Sequence, residues 1–157
     1  MFTARLVHGA DAMAALGIVR ICHPDIEIEN WRALFDHDEA GDSAHFGCVV
    51  VADQRGYAHA ACLFRIALDP RFGRRLEVSY LSRADLPAST ASDVLFDFID
   101  SLAARRACTQ IVIEDADSRI AAERLSSWTD IGQVLTDHHF RPGSVGFVKS
   151  VAVAPTA

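Results

Sequence analysis

Arg75-Leu76-Glu77-Val78-Ser79-Tyr80-Leu81 reads as a strand and opens the stretch that decides the fold. A loop of mostly small and polar residues follows it, Arg83-Ala84-Asp85-Leu86-Pro87-Ala88-Ser89-Thr90. Ser92 to Ala107 then has helical spacing, and Gln110-Ile111-Val112-Ile113-Glu114 is a second strand. Val94, Leu95, Phe98 and Leu102 fall at i, i+1, i+4 and i+8, the expected core-facing stripe of that helix. Thr90 and Asp93 have the spacing of a capping box. A strand, a small-residue loop and a helix start, in that order, make a seat for an anion. Free backbone N–H groups and the helix dipole both favour negative charge there.

Upstream, Ala4 to His8 reads as a first strand. Asp11 to Ile21 has helical spacing through Met13, Leu16 and Val19 and stops before His23-Pro24. Glu27 to Asp36 is a second helix with Trp31, Leu34 and Phe35 on one side. Phe46 to Ala52 and Tyr57 to Leu68 are strands joined by the turn Asp53-Gln54-Arg55-Gly56, hence an antiparallel hairpin. Arg74 to Leu81 is the third strand of that run. Downstream, Ile120 to Leu135 has a helical pattern, and Phe140 with Ser144 to Val151 supplies a strand pair broken by Pro142-Gly143. The order β-α-α-β-β-β-α-β-α-β-β predicts an α/β fold. Its sheet is mixed and largely antiparallel, with helices on both faces.

Composition narrows the function. The chain has 157 residues, read as one domain over 1–157, and half of them are apolar. A net charge of −6 argues against nucleic acid as a partner, because such binding rests on neutralising phosphates. Arg71, Arg74 and Arg75, like Arg105 and Arg106, read as solvated surface. Cys22, Cys48, Cys62 and Cys108 form no C-x-x-C pair and sit in apolar runs, so buried free thiols in a reducing cytoplasm are expected. Met1 to Arg5 has no signal-peptide core, and no apolar run approaches the roughly 18 residues of a membrane span.

No metal is expected. Asp36-x-Asp38-x-Ala40-Gly41 lacks the fifth and twelfth ligands of a calcium loop, the latter position being Gly47. In Asp137-His138-His139, adjacent side chains diverge. His45 and His59 have no ligand partner at readable spacing, and Trp31 and Trp128 read as core.

The element order, with this loop in this place, resembles the GNAT acyltransferase superfamily over Arg5 to Val151. Leu95-Phe96, Ala103, Ala107-Cys108 and Ile111-Val112-Ile113 are similar to the family's central helix and following strand. Val134-Leu135-x-x-His138-His139-Phe140-x-Pro142 resembles its Leu-Tyr-x-x-x-Gly-Phe, and Val145-Gly146-Phe147-Val148-Lys149 its last strand. The resemblance implies a splayed sheet whose strand before the central helix offers backbone groups to pantetheine. It implies a loop, usually Gln/Arg-x-x-Gly-x-Gly/Ala, around the pyrophosphate. Acetyl-CoA or another acyl-CoA is the implied co-substrate. Leu81, Ser82 and Arg83 on the strand and Ala88, Ser89, Thr90, Ala91 and Ser92 in the loop are the implied contacts.

The chain departs from the pattern in three places. Thr90 and Ser92 stand where the loop glycines fall, Asp93 puts a carboxylate in the first helical turn, and Leu135 replaces a tyrosine that protonates the leaving thiolate in many members. Glu77 matches a position that often carries a carboxylate and is the candidate general base. Tyr80 reads as a packed aromatic, and Cys108 as core rather than nucleophile. The implied activity is N-acyl transfer to a primary amine of a small molecule or a protein. The alternative is a catalytically inactive GNAT-like module that binds a ligand or a protein. A third reading is a homodimer paired through strand edges at Val145 to Val151.

Overall fold

The computed structural model describes residues 1–36, 45–84, 90–114, 134–142 and 146–152. In chain order these form β1 (Thr3–Val7), α1 (Met13–Cys22), α2 (Ile28–Asp36), β2 (Phe46–Ala52), β3 (Ala58–Asp69) and β4 (Gly73–Arg83). Then come α3 (Ala91–Arg105), β5 (Gln110–Glu114), β6 (Arg141–Pro142) and β7 (Gly146–Ser150). A 3-10 turn, Gly9–Ala12, leads into α1. The acidic loop 37–44, the loop residues 85–89 and the segment 115–133, with Trp128 and most of the expected helix from Ile120, lie outside the described residues.

The strands form one seven-stranded sheet in the order β1-β2-β3-β4-β5-β7-β6. β4 and β5 run parallel, joined across a face of the sheet by α3, and the other pairs are antiparallel. The expected mixed α/β sheet is therefore present. β2 shows why its apolar run carries no polar alternation. Val49 and Val51 pack into the core under α3, while Cys48 and Val50 pack into the core under α1 and α2. A strand covered on both faces has no solvent side. The same holds along β3, where Ala60, Cys62 and Phe64 face one core and Ala61 and Leu63 the other.

Several local expectations need correction. The buried stripe of α3 is Ala91, Leu95, Phe96, Ile99, Leu102 and Ala103; Val94 and Phe98 are only partly buried at its margins. α3 ends at Arg105 rather than Ala107, because Ala107 turns left-handed (φ 54°) and closes the helix. No capping box forms: Thr90 makes no side-chain cap, and Asp93 instead meets His138, with Oδ1 3.0 Å from Nε2. Tyr57 belongs to the turn before β3, where the Asp53 carboxylate accepts hydrogen bonds from the N–H groups of Arg55 and Tyr57. Cys22 is partly exposed, unlike the other three cysteines. Phe140 is a buried residue just before β6, and β7 lies between β5 and β6. Its edges are thus taken by β5 along Gly146–Ser150 and by β6 at Phe147 and Val148.

Among the described residues no helix is long and apolar enough to cross a membrane.

Candidate active site

β4 changes partners half-way along. Arg75 to Val78 pair with β5 on one side and β3 on the other. From Ser79 to Arg83 β3 is the one partner among the described residues, since the described β4–β5 ladder ends at Val78–Ile113. A bulge falls at the same point. Leu63 pairs with Ser79 and Ala61 with Ser82, so Tyr80 and Leu81 together oppose Cys62. Tyr80 takes the extra turn at φ 50°, rare for an aromatic residue. The hydroxyl of Ser82, fully buried, donates to the Tyr80 carbonyl at 3.0 Å and ties the bulge down. The sheet opens here, and along Ser79–Arg83 no described strand lies against the side of β4 that faces β5.

Of the implied cofactor-binding residues, Leu81, Ser82 and Arg83 lie along this stretch of β4. Leu81 and Ser82 are buried, so any contact they make with a ligand comes from the backbone. Arg83 is half-buried and its carbonyl accepts from Cys22 Sγ at 3.7 Å. Thr90, exposed, Ala91, buried, and Ser92, half-buried, start α3 at the same end of the sheet. The first-turn N–H groups of a helix lie outside its own hydrogen-bond ladder and favour an anion. Ala88 and Ser89 lie outside the described residues. Asp93, which would compete for that dipole, is engaged by His138.

Beside the opening lies a cleft of about 550 Å³. Its lining includes Trp31, Leu34, Phe46, Leu63, Phe64, Ser79 and Tyr80. Gly47 is required beneath it: a Cβ there would sit 2.8 Å from the Phe64 ring. Tyr80 reaches the cleft, where a packed aromatic was expected, and its ring meets His23 edge-on at 5.2 Å. Trp31 is both core and cleft wall. It is 2% exposed, and its indole N–H donates to the Ala12 carbonyl at 3.0 Å.

Glu77 also faces the cleft. Its side chain is buried and held from two sides. Arg65, its direct cross-strand partner on β3, donates through Nε at 3.0 Å and also through Nη2. Arg75, two residues earlier on the same face, donates through Nε at 2.8 Å. Burial pushes the Glu77 carboxyl up, but the hydrogen bonds and charges of the two guanidinium groups outweigh it and hold the group below the usual carboxylate range. Glu77 is therefore ionised at neutral pH, a hydrogen-bond acceptor of low basicity.

The cleft holds further charged residues that sequence reasoning did not single out. Asp25 and Glu27 come from the link between α1 and α2, Glu114 from the end of β5, and Arg65 from β3. The one signal in the sequence was the i, i+2 spacing of Arg75 and Glu77. The others meet only once the register is set. Three cysteines are buried thiols: burial pushes Cys48 up to about 12 and raises Cys62 and Cys108 as well. Leu135, at the family's tyrosine position, is fully buried.

Comparison with solved structures identifies the fold. The chain is similar to the aminoglycoside N-acetyltransferase AAC(6')-Iy, seen in complex with a CoA-based bisubstrate analogue, at 10% identity and TM-score 0.70. The match covers 100% of this chain and 99% of that one. It is similar to a predicted acetyltransferase from Clostridium acetobutylicum with acetyl-CoA (13% identity, TM-score 0.65, 92% of each chain). It is also similar to ribosomal-protein-alanine N-acetyltransferase from Brucella melitensis biovar Abortus 2308 (15% identity, TM-score 0.60, 82% of this chain and 90% of that one). No family model and no curated protein sequence matches the chain. The chain has the GNAT fold, and these structural neighbours are acetyltransferases.

Proposed function

We propose that this protein is an acyl-CoA-dependent N-acyltransferase whose acceptor is a primary amine of a small molecule. The observation that carries the reading is the stretch of β4 from Ser79 to Arg83, which among the described residues has no strand partner on its β5 side and whose Ser79 and Tyr80 line the same cleft as Glu77. The residues present fit an acyl-CoA. The β4 edge offers strand-like hydrogen bonds to the amide-bearing pantetheine arm, and the helix start suits its pyrophosphate. Acyl-CoA supplies the activated thioester, and the chain supplies position and proton handling. Neighbours with this fold are complexed with acetyl-CoA or with a CoA-linked aminoglycoside analogue, which supports the same arrangement.

The acceptor must lose a proton to become nucleophilic. Glu77, ionised and facing the cleft, accepts that proton through a water rather than directly, since its two arginines lower its basicity. Leu135 cannot donate to the departing thiolate, so that proton comes from solvent or from Tyr80 in the cleft lining. One observation favours the alternative, a ligand-binding module without turnover: the carboxylate is locked by two arginines and the tyrosine is absent.

Thermal unfolding with acetyl-CoA, followed by thiol release from acetyl-CoA with a panel of amines, tests the reading. Ligand at about 100 times its Kd adds about 2.7 kcal/mol and raises Tm by several degrees. Thr90→Glu puts a second carboxylate at the start of α3. It favours the helix itself but repels pyrophosphate, so it is expected to keep Tm and abolish the shift. A wild-type shift with thiol release supports the enzyme, and a shift without release supports the binding module. No shift at millimolar acetyl-CoA overturns the acyl-CoA-dependent reading.

A further inference from the structure

We propose that the cleft selects a small organic polycation, an amine acceptor carrying at least one ammonium group besides the one that reacts. This deepens the acyltransferase reading and rests on it for the reaction, though not for binding. Among the described residues four carboxylates line the cleft, Asp25, Glu27, Glu77 and Glu114, against one cation, Arg65. Glu77 is neutralised by Arg65 in front and Arg75 behind. Among the described residues three carboxylates remain outside those pairs: Asp25 and Glu27 between α1 and α2, and Glu114 at the end of β5, which the Arg65 charge also reaches. Among the described residues neither Asp25 nor Glu27 makes an ion pair.

The cavity around them is a ligand site in size and lining. Its volume of about 550 Å³ lies within the range of small-molecule pockets. Phe46 and Tyr80 in its lining carry rings of the kind that attract cations. Low-dielectric walls also focus the field of the carboxylates into the cleft.

Chemistry then separates one amine from several. A monoamine drawn to this field stays an ammonium ion beside Asp25 and Glu27, where it is not a nucleophile. A polycation anchors one ammonium group there and leaves another near Glu77 and the opening of β4, free to lose its proton. An anionic or neutral acceptor gains nothing from the same walls.

Calorimetric titration of the full chain with spermidine, a flexible triamine, and with butylamine, both without acetyl-CoA, tests this. Spermidine is expected to bind at least tenfold more tightly and to weaken as salt rises. Asp25→Asn and Glu27→Gln, both at exposed positions, are each expected to lose about two- to fivefold, the scale of an exposed ion pair. Glu29→Gln, exposed on α2 and outside the cleft, controls for bulk charge and is expected to change nothing. Equal binding of the two amines, or equal loss in Glu29→Gln, overturns the proposal. Spermidine binding without thiol release from acetyl-CoA leaves it standing and defeats the acyltransferase reading. Efficient acylation of a neutral or mono-amine with no spermidine binding does the reverse.

Discussion

The two halves of β4 share one strand and have different jobs. From Gly73 to Val78 it is a central strand, laddered to β3 and, from Arg75, to β5, with Leu76 and Val78 fully buried. From Ser79 to Arg83 its one described partner is β3, after a bulge at which Tyr80 takes a left-handed conformation. A strand with two neighbours contributes stability, and a strand with one retains hydrogen bonds to offer a ligand. Glu77 sits near the junction, structurally part of the first half and facing the cleft of the second. The stretch with one described neighbour thus lies directly beyond the stretch packed into the core.

Substitutions can break this contrast in order of effect. Leu76→Ala empties a fully buried site in the paired half and is expected to cost about 2–5 kcal/mol in urea unfolding. Glu77→Gln removes charge-assisted bonds at the junction and is expected to cost about 1–2 kcal/mol at neutral pH, at the low end because Arg65 is largely exposed. Its pH dependence has a definite sign. The folded-state pKa of Glu77 is depressed, so its contribution is complete above the ordinary value of 4.5 and is lost as pH falls through the lower folded value. Unfolding midpoints from pH 7 to 3 should therefore fall less steeply in Glu77→Gln than in the wild type. Parallel curves would mean that the arginine pairs do not form in solution.

Tyr80→Gly acts on the opened half and is the smallest change in stability. Glycine adopts the positive φ without strain, offsetting the loss of a ring that is 37% exposed. The net change is expected to be under about 1 kcal/mol, while amine binding weakens because a cleft wall is gone. A large loss of stability would show that the tyrosine, not the backbone, holds the bulge.

Much of the paired half was legible in the sequence. Phe46–Ala52 and Gln110–Glu114 are apolar runs whose ends coincide with the strands. The face of α3 was harder. Val94, Leu95 and Phe96 are consecutive apolars, so spacing alone does not choose the centre of the arc; contact with the sheet makes it Leu95 to Ile99. The capping box failed for a tertiary reason. Asp93 finds His138, 45 positions away, and leaves the cap. His139 takes φ 67° where the resembling pattern has glycine, which no side-chain pattern announces. The opened half was legible only through resemblance. No glycine marks the bulge at Tyr80, and the ion pair of Arg65 with Glu77 requires the β3–β4 register. The cleft carboxylates arrive from three separate parts of the chain. Such groups carry no local signal, because long-range packing alone brings them together.

Amide hydrogen exchange along β4, with and without acetyl-CoA, tests the central claim most directly. The account predicts slow exchange over Arg75 to Val78 in both conditions. Over Ser79 to Arg83, outward-facing amides should exchange quickly alone and slow when acetyl-CoA is bound. Uniform slow exchange along the whole strand without ligand, or no slowing at saturating acetyl-CoA, would contradict it.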